Sequence, residues 1–171
     1  MQIAASYEQV IGRKTPEMLA IAIAKDAQGK FNPITLGWVM RTSHQPPMLA
    51  ISVGLTRHSL EAIRGAREFV VSFPSATMGK DALYHGSHSG SAEDKLAACG
   101  TKTQPATKID CVLLADAVAN FECQLESEVT TGDHVIFVGR VVASHMNKDA
   151  AAQCLYLLPG DRLGGVAAEG S

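Results

Sequence analysis

The chain has 171 residues, 15 of them basic and 17 acidic, and a net charge of −2, so it carries no bulk field that would gather nucleic acid or an anionic membrane. That length corresponds to one domain, spanning 1–171, with enough residues to bury a core unaided. No uninterrupted apolar run approaches the roughly 20 residues of a membrane helix, and Glu8 precedes the first hydrophobic segment, so a signal-peptide layout is absent and the expected compartment is the cytoplasm.

Residues 1–15 are mixed and read as an irregular arm or a short helix. Nearly every position of 17–25 is apolar and Asp26-Ala27-Gln28-Gly29-Lys30 is a turn signal, which predicts a strand closing in a tight turn. Two further apolar runs, 34–40 and 48–53, predict strands on either side of a polar loop, 41–47. Pro46-Pro47 stiffens that loop and makes it a candidate wall for a site. Beyond Gly54, the spacing of Leu60, Ile63 and Ala66 predicts a helix over 59–66, with Thr56 or Ser59 as its cap. An acid three residues after Ser59, which would complete a capping box, is missing.

The segment 68–73 alternates, is rich in β-branched and aromatic residues and stops at Pro74, as a strand does. Two helical stretches, 78–84 and 92–99, flank a glycine-serine linker at 85–91, which suggests a helical insertion. After a polar loop at 101–108, strand patterns return at 111–114, 118–129 and 134–146. Phe121, Cys123 and Leu125 alternate with Glu122, Gln124 and Glu126, which places the three polar residues on a face turned to water. Thr131-Gly132-Asp133 is a hairpin turn, 153–158 a last short strand, and the tail 164–171 is small and polar enough to fray. About seven short antiparallel strands with one insertion give a mainly β fold, either a closed or nearly closed barrel or an open sandwich.

The residues that carry chemistry are few. Gly54, Thr56, Arg57 and Ser59 at a helix start suit a phosphate, the alternative being an ordinary capped helix. Lys95 either adds a cation to that site or is a solvated lysine. A lone tryptophan in an apolar run, Trp38, fits the core as readily as a cofactor platform. His134, at the opening of a strand, either meets a ligand's polar edge or caps the turn. His85 and His88 have the spacing of two metal ligands but no third ligand accompanies them, so no metal is expected. The four cysteines form no C-x-x-C pair and read as reduced packing residues. Signatures of hydrolases, P-loops and dinucleotide-binding folds are absent.

Taken in order, Asn32-Pro33-Ile34-Thr35-Leu36-Gly37-Trp38, Ser43-His44-Gln45-Pro46-Pro47, the Thr56-to-Ser59 helix entry, Glu68-Phe69-Val70-Val71, Gly132-Asp133-His134 and Gly139-Arg140-Val141 resemble the flavin reductase-like family, nearest its flavoredoxin branch. The resemblance runs from about 17 to 162. It implies an antiparallel split β-barrel with Greek-key character and a helical insertion, and a homodimer with FMN near the subunit interface. It also implies that FMN meets Asn32, Thr35, Trp38, Ser43, Thr56, Ser59, Lys95 and His134, with Ser59 and Lys95 at the phosphate. The implied activity is NAD(P)H-dependent flavin reduction, in which the flavin carries the chemistry, no side chain acts as acid or base, and His134 positions flavin or nicotinamide. A flavoredoxin-like electron carrier served by a protein donor or acceptor is the alternative, followed by a barrel that has lost flavin. Leu163, after Gly160-Asp161-Arg162, stands where the family tends to place an aromatic residue.

Overall fold

The computed structural model describes residues 1–166. The expected fraying of 164–171 therefore falls partly outside the described residues, and Gly164 itself ends a strand. Within the N-terminal arm a single helix, α1 (Tyr7–Ile11), is held by a capping box between Ser6 and Gln9.

The apolar run after it splits into β1 (Glu17–Met18) and β2 (Ala20–Lys25). In β2 the alanines Ala20, Ala22 and Ala24 enter one core cluster, and Ile21 and Ile23 enter another on the opposite face. A strand buried on both faces has no polar side, which is why its sequence is continuously hydrophobic. Next come β3 (Phe31–Leu36), β4 (Val39–His44) and β5 (Pro47–Gly54). The expected strand over 34–40 is broken at Gly37-Trp38, and the expected loop over 41–47 is mostly strand. Arg41 and Thr42 are exposed there because β4 is an edge strand, so polarity marked an edge and not a loop.

Helix α2 (His58–Ala66) leads into β6 (Glu68–Phe73), and a 3-10 turn (Ala76–Met78) leads into α3 (Gly79–Ser87) and α4 (Lys95–Cys99). The strands β7 (Thr103–Pro105), β8 (Val112–Leu114), β9 (Ala119–Thr131), β10 (His134–Met146), β11 (Tyr156–Leu158) and β12 (Arg162–Gly164) follow. Sequence reading missed β7 and β12, whose three residues each are too short to show a period.

The main sheet is antiparallel with the order β3-β2-β6-β9-β10-β5-β4. Its two edges, β3 and β4, are consecutive in sequence and separated by Gly37-Trp38 alone. Three Cα steps reach at most about 11 Å, whereas the edges of a flat seven-stranded sheet would stand about 29 Å apart. The sheet therefore curls until its edges share a corner, but β3 and β4 are not paired and the ladder stays open. Of the closed barrel, nearly closed barrel and open sandwich that the pattern allowed, the fully closed ladder is not formed among the described residues. The residues Leu49, Ile51, Phe69, Cys123 and Phe137 fill the inside of the curl, with α2 plugging it through Leu60 and Ile63. The helical insertion and 109–117 cover the outside through Met78, Ala82 and Leu113. At Gly139 the packing admits no side chain, since a Cβ would stand 2.6 Å from Phe69 Cζ and 2.8 Å from Cys123 Cβ.

Glu122 departs from the expected water-facing register. It is fully buried (0% exposed), and its carboxylate accepts from the amides of Thr107, Lys108 and Ile109, the Thr107 hydroxyl and His145 Nε2. The loop covering β9 is thus tied down by one buried anion. Gln124 and Glu126 are exposed as expected.

Candidate functional site

The chain turns sharply after β5, the Arg57 amide donating to the Gly54 carbonyl at 3.0 Å, before α2 begins at His58. No side chain caps this helix, so neither Thr56 nor Ser59 has the expected capping role. Ser59 is buried, and its Oγ accepts from Asn32 Nδ2 at 2.7 Å. The open first turn leaves amide groups and the positive helix end free to meet an anion.

A polar cavity of ≈ 170 Å³ lies at that helix start, and Asn32, Thr56, Arg57, Ser59 and Lys95 all line it. Lys95 is only 3% exposed, and its ammonium donates to the carbonyls of His85 at 3.2 Å and His88 at 3.3 Å. Burial first, and then the charge of Arg57, push it down to about 8, with Glu93 opposing. Neither cation has a carboxylate partner among the described residues. Two uncompensated cations in a small pocket repel each other, and a bound anion would relieve that. A second unmet demand is Asn32 Oδ1, buried without a hydrogen-bond partner among the described residues. The loop carrying Gly90 comes so close to this oxygen that any Cβ at Gly90 would collide with it.

Trp38 and His134 form a second feature. Trp38 is 51% exposed, which rules out the core alternative, and its ring lies 4.6 Å from that of His134 at a tilt of 41°. The imidazole is steadied by Asp133 Oδ1 at 2.7 Å from Nδ1, a bond that also holds the Asp133 carboxyl below its ordinary value. A Cβ placed on Gly54 would stand 3.6 Å from both His134 Nε2 and Arg57 Cγ, so the aromatic pair and the cationic cavity meet at Gly54.

Two of the sequence-based candidates stand elsewhere. The Thr35 hydroxyl donates to the Ala82 carbonyl at 2.7 Å and ties β3 to α3. Ser43, on β4, lines a separate and mainly apolar cavity of ≈ 450 Å³. Leu163 packs into the outer core beside Gly79, so it fills space that the fold needs.

The histidine pair at 85 and 88 does not converge. His85 sits inside α3, with Nε2 2.9 Å from Thr101 Oγ1, and Thr101 in turn donates to Asp81. Burial first, then Lys95, push the imidazole down to about 4 against the pull of Asp81. His88 instead stacks on Tyr84 at 3.9 Å. Asp81, His85 and Cys99 bring ligand-type atoms within 4.8 Å of one another, although the Thr101 hydroxyl already bridges the first two.

The cavity also takes its walls from His58, Ser87, Ser89 and Gly90, none of which the sequence singled out as binding residues. The signal was the run of serine, glycine and histidine at 85–91, which reads equally as a linker or as an anion-lining loop.

Fold and site together define a curled antiparallel β protein with a cation-lined polar cavity beside an exposed aromatic pair. Residues 12–162 match the flavin reductase like domain, and the chain belongs to that family. It is 31% identical over 127 residues, 72% of this chain and 65% of the relative, to the NADH-dependent FMN reductase AsuE2 of Streptomyces nodosus subsp. asukaensis. The matched stretches span 64% and 68% of two further relatives and 38% of a third. Among solved structures, an FMN-binding protein from Thermus thermophilus superimposes with a TM-score of 0.86 at 24% identity, covering 100% of this chain and 99% of that one. Flavoredoxin from Methanosarcina acetivorans does so with 0.86 at 23%, covering 100% and 94%. At such identities these structures speak for the fold. They agree with its mainly β, antiparallel character with short helices.

Proposed function

We propose that residues 1–171 form a single FMN-binding domain that works as an NAD(P)H-dependent flavin reductase. The observation that carries this reading is the uncompensated pair Arg57 and Lys95 facing the uncapped start of α2, beside the Ser59 hydroxyl. A dianionic phosphate monoester matches that donor set in charge and in hydrogen-bonding capacity. Family membership and the name of the related FMN reductase favour flavin as the molecule that bears the phosphate.

Each proposed residue has a task. Arg57, Ser59, Thr56 and Lys95 hold the phosphate, Asn32 lines the start of the ribityl chain's path, and Thr35 serves by fixing β3 against α3. Trp38 and His134, one step away across Gly54, offer a flat, half-apolar shelf to the ring system. Ser43 belongs to the polar edge of β4, and His134 orients flavin or nicotinamide. When bound, FMN accepts hydride from NAD(P)H and passes the electrons on. The curled sheet whose edges share a corner supports an FMN-binding split β-barrel of Greek-key character. Exposed Met40, Trp38 and Val129 support a homodimer, and four unpaired cysteines support a reducing, cytoplasmic setting.

Flavoredoxins among the structural neighbours favour a second reading, an electron carrier reduced only by a protein partner. The visible spectrum of protein purified without added flavin, followed by FMN titration, tests the common part. Stopped-flow mixing of the loaded protein with NADH and NADPH then separates the two, since a carrier leaves the flavin bands unbleached.

A further inference from the structure

Asp26 belongs to the turn between β2 and β3 and is 8% exposed. Its Oδ1 accepts from the amides of Gln28 and Lys30, both at 2.9 Å, so the turn itself fixes the carboxylate. Oδ2 is left to face His58 Nε2 at 3.3 Å. Burial works to raise this carboxyl, but the Lys30 amide, His58 and the Gln28 amide outweigh it and hold it below its ordinary value. The residue is therefore a fixed anion at neutral pH.

His58 opens α2, and its side chain is 27% exposed. It lines the same cavity as Arg57, Ser59 and Lys95, and its Cδ2 would lie 3.4 Å from a Cβ at Gly90. Its contact with Asp26 is its only hydrogen bond among the described residues. One side of the ring thus faces a carboxylate and another the anion cavity. The charged and titratable groups around it are Asp26 on the β2–β3 turn, Arg57 before it, Glu61 one turn along α2, His85 and His88 on the insertion, and Lys95 on α4.

We propose that His58, oriented by Asp26, is a further anion-binding residue of this cavity, and that a phosphate monoester binds together with a proton taken up on its imidazole. The physical reason is the fixed anion behind it. With His58 neutral, the Asp26 carboxylate faces an incoming dianion across one ring width, a repulsion that the ring itself does nothing to offset and that Arg57 and Lys95 must meet alone. With His58 protonated, the ring becomes a cation between two anions, its Nε2 donating to Asp26. Phosphate binding therefore favours the charged ring. Lys95, pushed down to about 8 in the empty cavity, adds its own loss of affinity at high pH.

This proposal rests on the FMN reading, and one calorimetric experiment separates their fates. FMN binding is measured at pH 7.0 in two buffers of different ionisation enthalpy, for the unaltered protein, His58→Gln and Asp26→Asn, with riboflavin as the phosphate-free control. The proton balance of the FMN phosphate itself is common to all three proteins and cancels in their difference. His58→Gln is expected to take up fewer protons per FMN and to bind it about tenfold more weakly at pH 6.5. That penalty should shrink as pH rises, with riboflavin binding unaltered. Asp26→Asn should also lose proton uptake. Equal proton uptake and equal affinity in His58→Gln and the unaltered protein overturn this proposal and leave FMN binding intact. Failure of the unaltered protein to bind FMN at all overturns both.

Discussion

Lys95 is a buried cation whose hydrogen-bond partners are carbonyl oxygens, and its folded-state value near 8 is a statement about stability as well as binding. An unfolded lysine titrates near 10.4, so between pH 8 and 10.4 the unfolded chain holds more protons than the folded one and stability rises with pH. Over that window the flavin-free protein is expected to gain up to about 3 kcal/mol from this residue. Lys95→Met should therefore be more stable than the parent at pH 7.5 in urea unfolding, an advantage that disappears near pH 10.5. The same residue should matter in the opposite sense for ligand. Lys95→Ala and Ser59→Ala are each expected to weaken FMN by about 1–3 kcal/mol, the range for hydrogen bonds to a charged group. Fluorescence titration would show this for FMN and not for riboflavin, and unchanged FMN affinity in both variants would remove the phosphate from this cavity. Ser59 was accessible from sequence because it stands in the ordered motif set, and Lys95 only through the family resemblance that the set implied. His58 was not, because its partner Asp26 lies 32 positions away, in a turn whose sequence speaks only of turn formation.

At the scale of elements, the alternation in β9 forecast which residues form a strand but misplaced Glu122. A period of two predicts only that Glu122 lies opposite Phe121 and Cys123, and it cannot show that a loop 13 to 15 positions earlier supplies three amides to that opposite face. Burial raises the Glu122 carboxyl, but those amides, the Thr107 hydroxyl and His145 prevail and hold it at about 2. Its folded value lies below the ordinary value for glutamate, so its contribution is complete above about pH 4.5 and is lost as pH falls toward 2, about 3 kcal/mol in all. Chemical unfolding from pH 5.5 to 2.5 should show this loss in the parent. Glu122→Gln, which presents an amide donor where backbone donors converge, should be less stable by about 2–4 kcal/mol at pH 7 and should lack that acid-dependent component. If the two proteins lose stability in parallel on acidification, the clasp on 107–109 is not what this carboxylate provides. The break at Gly37-Trp38 was hidden for a different reason. Apolar residues run through it, and the exposure of Trp38 follows from a change of sheet edge that local pattern does not encode.

For the whole molecule, sheet order is the property that places the site, and it was the least legible from sequence. The strands pair over long separations, as β6 does with β9, while hydrophobic period reports only which residues face inward. The curl brings β3 beside α2 and the insertion, so that Asn32, Ser59 and Lys95 meet although they span 64 positions. A site assembled in this way from β3, α2 and α4 couples ligand to global folding, because separating any of the three elements destroys it. At an FMN concentration of 100 Kd, mass action adds about 2.7 kcal/mol to the folded state. For a chain of this size that corresponds to a rise in Tm of roughly 5–11 °C. Scanning calorimetry with FMN and with riboflavin at equal concentration should give the larger rise with FMN if, as proposed, its phosphate occupies the cavity at the start of α2. Equal rises would mean that the ring system, held at Trp38 and His134, supplies the binding and that Arg57 and Lys95 serve another anion.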